Sequence, residues 1–190
     1  MDHWQGTSTS IRERRSVKKF TGDPLDTETI QELLELAVLA PNHRMTEPWA
    51  FIVMGPETRR AYGAIKGESR ARRLDDPKVG TRVRDRTIAS MEGLPTMIAF
   101  LQRLDDDPTV REEDFATVYM GMQNVLIGAT ARGLGTHVKT GAILDEEPVR
   151  RLLQVEEDHR VVALVHLGVP DELPPARPRK PATHCTRWLP

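Results

Sequence analysis

Residues 114–141 read DFATVYMGMQNVLIGATARGLGTHVKTG, and the fold is decided where this stretch changes its period. Phe115, Val118, Tyr119, Met122, Val125, Leu126 and Ala129 recur at helical spacing over four turns, which predicts a helix from Asp114 to Arg132. Gly121 and Gly128 lie off that stripe. Each lowers helix propensity by about 1 kcal/mol relative to alanine, so they make sense if a second helix packs backbone-close against them. Gly133-Leu134-Gly135 ends the helix, and Thr136 to Lys139 reads as a short strand. The glycines superficially suggest a dinucleotide loop. They follow a helix instead of opening one after a strand, and a third glycine is missing, so the Rossmann reading fails its own context. Glycines here still let a ligand approach the backbone closely.

Upstream, Asp26 is a good N-cap, and Ile30, Leu33, Leu34, Ala37 and Val38 form one apolar stripe that must stop before Pro41. A polar loop from Asn42 to Glu47 leads through Pro48-Trp49 into a strand, Ala50 to Met54, and a helix over Glu57 to Lys66. Thr96 to Leu101 reads as a strand buried on both faces. Downstream, Asp145 is expected to cap a helix reaching Leu153, with Pro148 in its first turn, and Val161 to Leu167 is a central strand. This order predicts an α+β chain with a central mixed or antiparallel sheet of about four to five strands flanked by helices. One domain is expected over residues 10–190. Residues 1–9 are expected to be a flexible tail, 67–93 a partly helical, mobile, arginine-rich excursion, and 170–190 an extended proline-rich tail.

Charge and cysteine content narrow the function. With 27 basic and 28 acidic residues and 5% aromatics, the chain lacks the basic excess of a nucleic-acid binder. The single Cys185 has no partner for an internal disulfide, which fits a reducing, cytoplasmic setting. The first residues lack the order of a signal peptide. Val161 to Val169, interrupted by His166, is too short to span a bilayer, so no membrane is expected. The six histidines show no metal-ligand spacing, and no metal is expected.

Four segments could carry chemistry. Arg14-Arg15-Ser16-Val17-Lys18-Lys19 offers cationic forks and a hydroxyl suited to a phosphate, though alone it also reads as a solvated helix end. Ala40-Pro41-Asn42-His43-Arg44-Met45-Thr46-Glu47-Pro48-Trp49 could present donors and an apolar wall to a planar ring, or simply join a helix to a strand. The glycine-flanked segment around Thr136 to Gly141 could lay its backbone amides against a ligand. Finally, prolines in Ala176-Arg177-Pro178-Arg179-Lys180-Pro181 would hold two arginines on a similar side of an extended tail.

In this order and spacing, the four segments resemble the nitroreductase family over about Ile11 to Trp188, especially small single-domain members with Ala-Pro-Asn-His before Pro-Trp. The resemblance implies an α+β nitroreductase-like fold and an intertwined homodimer holding FMN at its interface, with NADH or NADPH as reductant. Arg14, Ser16 and Lys18 would grip the FMN phosphate, ribityl chain and pyrimidine edge, with Arg15 adjacent. Arg177 and Arg179 would complete the phosphate site. His43 and Met45 would face the flavin from the partner subunit. Val138, Lys139, Thr140 and Gly141 would lie along the ring system. The implied activity is ping-pong hydride transfer, through flavin N5, to a small electron-poor acceptor such as a nitroaromatic or quinone, with no side chain as nucleophile. A flavin carrier or sensor without turnover is the alternative. Many members place Asn where this chain has Met45, and Ser-Gln where it has Thr46-Glu47. A carboxylate at Glu47 would oppose the negative charge of reduced flavin unless it points away.

Overall fold

The computed structural model describes residues 3–190. Its elements run α1 (His3–Glu13), α2 (Thr27–Ala37), β1 (Trp49–Met54), α3 (Pro56–Ala71), α4 (Pro77–Glu92), β2 (Thr96–Arg103), α5 (Pro108–Ala131), β3 (Gly135–Lys139), α6 (Glu147–Leu152) and β4 (His159–Gly168). The four strands form one antiparallel sheet in the order β1-β2-β4-β3.

The sheet is the middle of three layers because β2 alternates its side chains between two cores. Ile98 and Phe100 face one side with Ile30 and Leu33 of α2 and Val118, Met122 and Val125 of α5. Met97, Ala99 and Leu101 face the other with Tyr62 of α3, Met91 of α4 and Val149 of α6. Hence β2 is buried on both faces over seven of its eight residues, as its unbroken apolar run requires.

The α2–α5 contact is fixed by glycine. A Cβ on Gly121 would stand 2.7 Å from the Ala37 carbonyl oxygen, and one on Gly128 would stand 2.4 Å from Leu36 Cδ1. The helices therefore meet at a distance that any larger residue at Gly121 would force apart. The expected Asp26 cap is present, its carboxylate accepting from Thr29 N at 2.6 Å.

Several expectations need correction. Residues 3–9 are helical and belong to α1, with Ser10 buried at its inner face; residues 1 and 2 of the expected flexible tail lie outside the described residues. The arginine-rich excursion is a hairpin of two sixteen-residue helices, α3 and α4, not a partly helical wanderer. Its anchors are small: a Cβ on Gly63 would lie 2.9 Å from Ile88 Cα, and one on Gly67 2.9 Å from the Arg84 carbonyl oxygen. Asp76 caps α4 ahead of Pro77, a start signal concealed by the surrounding charge. The same Asp-Pro signal at Asp107-Pro108 opens α5 six residues before Asp114, which is a buried mid-helix residue. Asp145 closes a 3-10 turn, and α6 starts after Glu146 without a side-chain cap.

Candidate active site

The two chain ends are zipped together beside β3. After α1, Ser16 forms a parallel bridge with Thr136, and Val17 N donates to the Thr136 carbonyl at 2.9 Å. Val17 is buried, and it fits only because residue 135 is glycine: a Cβ there would sit 2.7 Å from Val17 Cγ2. Beyond β4, Thr21 N donates to the Val169 carbonyl at 2.9 Å and Asp171 N to the Lys19 carbonyl at 3.1 Å. The ammonium of Lys19 closes this seam on the Glu172 carboxylate at 2.7 Å. That ion pair raises the Lys19 pKa and lowers that of Glu172, each chiefly through its hydrogen bond to the other.

This seam borders an open cavity of about 920 Å3, lined by Arg14, Arg15, Ser16, Lys18, Arg177 and Arg179 together with Arg12, Lys19, His137, Pro174 and Pro175. Six of the sequence-derived candidates thus share one cavity. The arginines there are not neutralised. Among the described residues, no carboxylate lies within 4.0 Å of Arg14, Arg15, Arg177 or Arg179, and the one acid on the wall, Glu172, is held by Lys19. Arg15 is partly spoken for, because its guanidinium donates to the Arg12 and Arg14 carbonyls at 2.6 and 3.0 Å and so closes the end of α1. Arg179 donates to the Arg177 and Pro178 carbonyls at 3.2 and 3.3 Å.

Val138, Lys139, Thr140 and Gly141 leave this cavity along β3 and its exit, where Gly141 adopts φ 139°, a conformation that favours glycine. His137 joins the two regions. Lys139 Nζ donates to its Nε2 at 3.0 Å, so Nδ1 carries the proton and donates to the Val17 carbonyl at 3.0 Å. Burial, then the Lys139 charge, lowers the His137 pKa. Burial, Lys18 and Arg70 lower that of Lys139.

Four residues here, Tyr62, Lys66, Arg70 and His166, were not among the candidates. Lys66 sits on α3 with its ammonium 5.4 Å from the centre of the Tyr62 ring, and its pKa falls to about 8 through burial, Arg70 and Lys139. Tyr62, Lys66 and Arg70 are spaced four apart, so one face of α3 carries all three, a signal available in the sequence. His166 on β4 faces His137 across the strand pair, 6.1 Å between ring centres. It is 4% exposed, its Nε2 has no hydrogen-bond partner among the described residues, and burial above all drives its pKa to about 3. The interruption of an apolar strand by His166 was its only trace in the sequence.

His43 and Met45 do not line the cavity. They form a 3-10 turn on α5, where His43 Nδ1 meets Glu113 at 3.0 Å and Met45 is 75% exposed. Glu47 is also exposed. Among the described residues, the one cluster with metal-ligand geometry is Glu156, Asp158 and His159 at the exposed entrance to β4, far in sequence from the candidates.

The nitroreductase family model matches residues 11–169. Bacillus subtilis YfhC, provisionally named an NAD(P)H nitroreductase, is 31% identical over 171 residues, which is 90% of this chain and 88% of that protein. A nitroreductase-like family protein from Bacillus cereus superposes with a TM-score of 0.80 at 27% identity, covering 96% of this chain and 95% of the other. The NADPH:FMN oxidoreductase of Vibrio harveyi, solved with NAD+, shares the fold at 21% identity with a TM-score of 0.75, covering 96% and 76%. A central antiparallel sheet, basic segments from both chain ends meeting beside β3, and a family match over most of the length agree: this chain belongs to the nitroreductase family.

Proposed function

We propose that this chain is an FMN-dependent oxidoreductase that works as a homodimer, takes hydride from NADH or NADPH, and delivers it to a small electron-poor acceptor such as a nitroaromatic or a quinone. One observation carries the reading: an un-neutralised arginine cluster from opposite ends of the polypeptide lines a single cavity of about 920 Å3. Four guanidinium groups held together with no acid pairing them among the described residues repel one another, and a dianionic phosphate is the ligand that reverses this. Arginine forks match its geometry, and the Ser16 hydroxyl adds a neutral donor. The volume falls within the roughly 300–1,000 Å3 of small-molecule sites.

Arg14, Arg15, Ser16, Lys18, Arg177 and Arg179 would hold the phosphate and the ribityl end of FMN. Bound FMN supplies the electron-transfer chemistry itself. Val138, Lys139, Thr140 and Gly141 would line the ring, with Gly141 admitting close approach, while Lys18 and Lys139 keep positive charge near its pyrimidine edge. His43 and Met45 would come from a second copy. Their exposure, with that of Leu39 at 74%, supports a surface awaiting a partner. Glu47 is exposed in the same loop as His43 and Met45 and makes no ion pair among the described residues. The names of the Bacillus subtilis and Vibrio harveyi relatives support a nicotinamide reductant and FMN. Residues 10–190 act as one functional domain in this reading. No described helix is long and apolar enough to cross a membrane, and a lone, exposed Cys185 suits the cytoplasm.

The test is the visible spectrum of protein incubated with FMN and desalted, before and after anaerobic NADPH. Retained yellow colour that bleaches with NADPH supports both cofactor and reaction. Colourless protein defeats the assignment, and retained colour that does not bleach converts it to a flavin carrier.

A further inference from the structure

The loop between α2 and β1 holds three non-glycine residues with left-handed backbones within four positions: Arg44 at φ 69°, Met45 at 52° and Glu47 at 47°. Such conformations are uncommon for residues with a Cβ and persist only where the surroundings impose them. The surroundings here are specific. Asn42 Oδ1 accepts from Glu47 N at 2.7 Å, and Asn42 Nδ2 donates to Thr46 Oγ1 at 2.9 Å. Thr46 Oγ1 in turn donates to Asp114 Oδ1 at 2.5 Å, and Asp114 is 3% exposed on α5. Arg103 at the end of β2 donates to the Thr46 carbonyl at 2.6 Å, and Thr117 donates to the Pro41 carbonyl at 3.3 Å. Glu113, Asp114 and Thr117 occupy one face of α5, so the loop is fastened along a helix that the core already immobilises.

What this fastening holds up is an exposed pair. The Met45 side chain is three-quarters exposed with no hydrogen bond or ion pair among the described residues, and the His43 ring is steadied by Glu113. A loop needing only to connect a helix to a strand has no use for three strained residues and a buried carboxylate. One that must present a thioether and an imidazole at a fixed angle does.

We propose that Asp114, acting through Thr46 and Asn42, is a positioning residue that fixes this loop and so sets which acceptors are used. The inference rests on the reading that His43 and Met45 face the ligand pocket of a second copy. Asp114 itself touches no ligand. Removing its grip lets the loop relax to ordinary backbone angles, which moves the Met45 wall without touching the phosphate cradle.

The experiment compares kcat/KM for a small acceptor, benzoquinone, and a bulkier one, menadione, with NADPH fixed and rates referred to bound FMN. The ratio of the two is insensitive to the fraction of protein folded, so a merely structural role would not move it. Thr46→Val removes the hydroxyl at nearly constant shape and is expected to change the ratio at least about fivefold. Thr46→Ser restores the donor and is expected to stay within about twofold of the parent. Asp114→Asn, still able to accept through Oδ1, provides a second route if Thr46→Val does not fold; a smaller change in the same direction is expected. A ratio unchanged in the flavin-loaded Thr46→Val protein, or in Asp114→Asn where that is the variant that folds, overturns the inference and leaves the FMN reading intact. Equal changes in Thr46→Val and Thr46→Ser also overturn it. A parent protein that takes up no FMN overturns the underlying reading, and this inference with it.

Discussion

Replacing Arg14 by alanine tests the phosphate site most directly. Arg14 is half-buried on the cavity wall and has no carboxylate partner among the described residues, so its removal leaves no orphaned acid behind. The whole effect on ligand affinity therefore reads the lost contact. A hydrogen bond to a charged group is worth about 1.5–3 kcal/mol. The cavity is open to water, and Arg177 and Arg179 remain beside it, so the lower part of that range applies. A loss of about 1.5–2.5 kcal/mol corresponds to roughly a 10- to 70-fold rise in Kd for FMN. Arg14→Lys keeps the charge but loses the fork, so an intermediate loss is expected. Quenching of FMN fluorescence on titration measures the constant, at two salt concentrations because exposed charges are screened within about 10 Å at 0.1 M. Arg82→Ala on the exposed face of α4 serves as the control. Affinities within about twofold of the parent for Arg14→Ala, Arg177→Ala and the double variant would refute the idea that the clustered guanidiniums bind phosphate, since the double variant exposes any loss that one arginine hides for the other.

Burial keeps His166 neutral with a pKa near 3 against 6.5 unfolded, so its contribution to stability is complete above pH 6.5 and is lost as pH falls toward 3. Urea denaturation should show a His166→Gln protein losing less stability than the parent across that window, by up to about 1.4 kcal/mol per pH unit; parallel pH profiles would contradict it. Gly121→Ala gains about 1 kcal/mol of helix propensity but sets a Cβ against the Ala37 carbonyl at an overpacking cost of about 1–3 kcal/mol, for a net loss of up to about 2 kcal/mol by chemical denaturation. A stabilised variant would show that α2 and α5 can part at no cost. Among the described residues Arg70 stands near Lys66 and Lys139 without an acid partner, so Arg70→Ala is expected to lower kcat/KM for NADPH relative to NADH several-fold; an unchanged ratio would rule out an Arg70 contact with the nucleotide's extra phosphate.

Most of the fold was legible because its signals are local. The apolar stripe of α2, the two-faced burial of β2 and the glycines of α5 each state their neighbours within a dozen residues. The α3–α4 hairpin was not legible in that way. Its packing rests on glycine contacts at Gly63 and Gly67 and on backbone approach, while its many arginines suggest solvent. A period-based reading looks for large apolar side chains and finds few. Similarly, α1 offers little apolar pattern, and its packing against α5 is not visible in its own sequence. At the candidate site, the basic segments could be named from the sequence, but the bond from His137 to Val17 joins residues 120 positions apart. Nothing in either segment alone announces it.

The cavity also shows why motif strength and site strength differ. Arg14-Arg15-Ser16 and Arg177-Pro178-Arg179 are each unremarkable as sequence, and each reads equally well as a solvated surface. Their meeting depends on apolar and backbone features elsewhere: Val17 seated on Gly135, Thr21 paired with Val169, and Asp171 paired with Lys19. The Lys19–Glu172 pair then neutralises the one acid on the wall, so the bridge that joins the ends also leaves the arginines uncompensated. An exposed ion pair of this kind contributes little to stability, because water screens it. Its larger consequence is electrostatic, because a free Glu172 would offset one of the charges a phosphate needs.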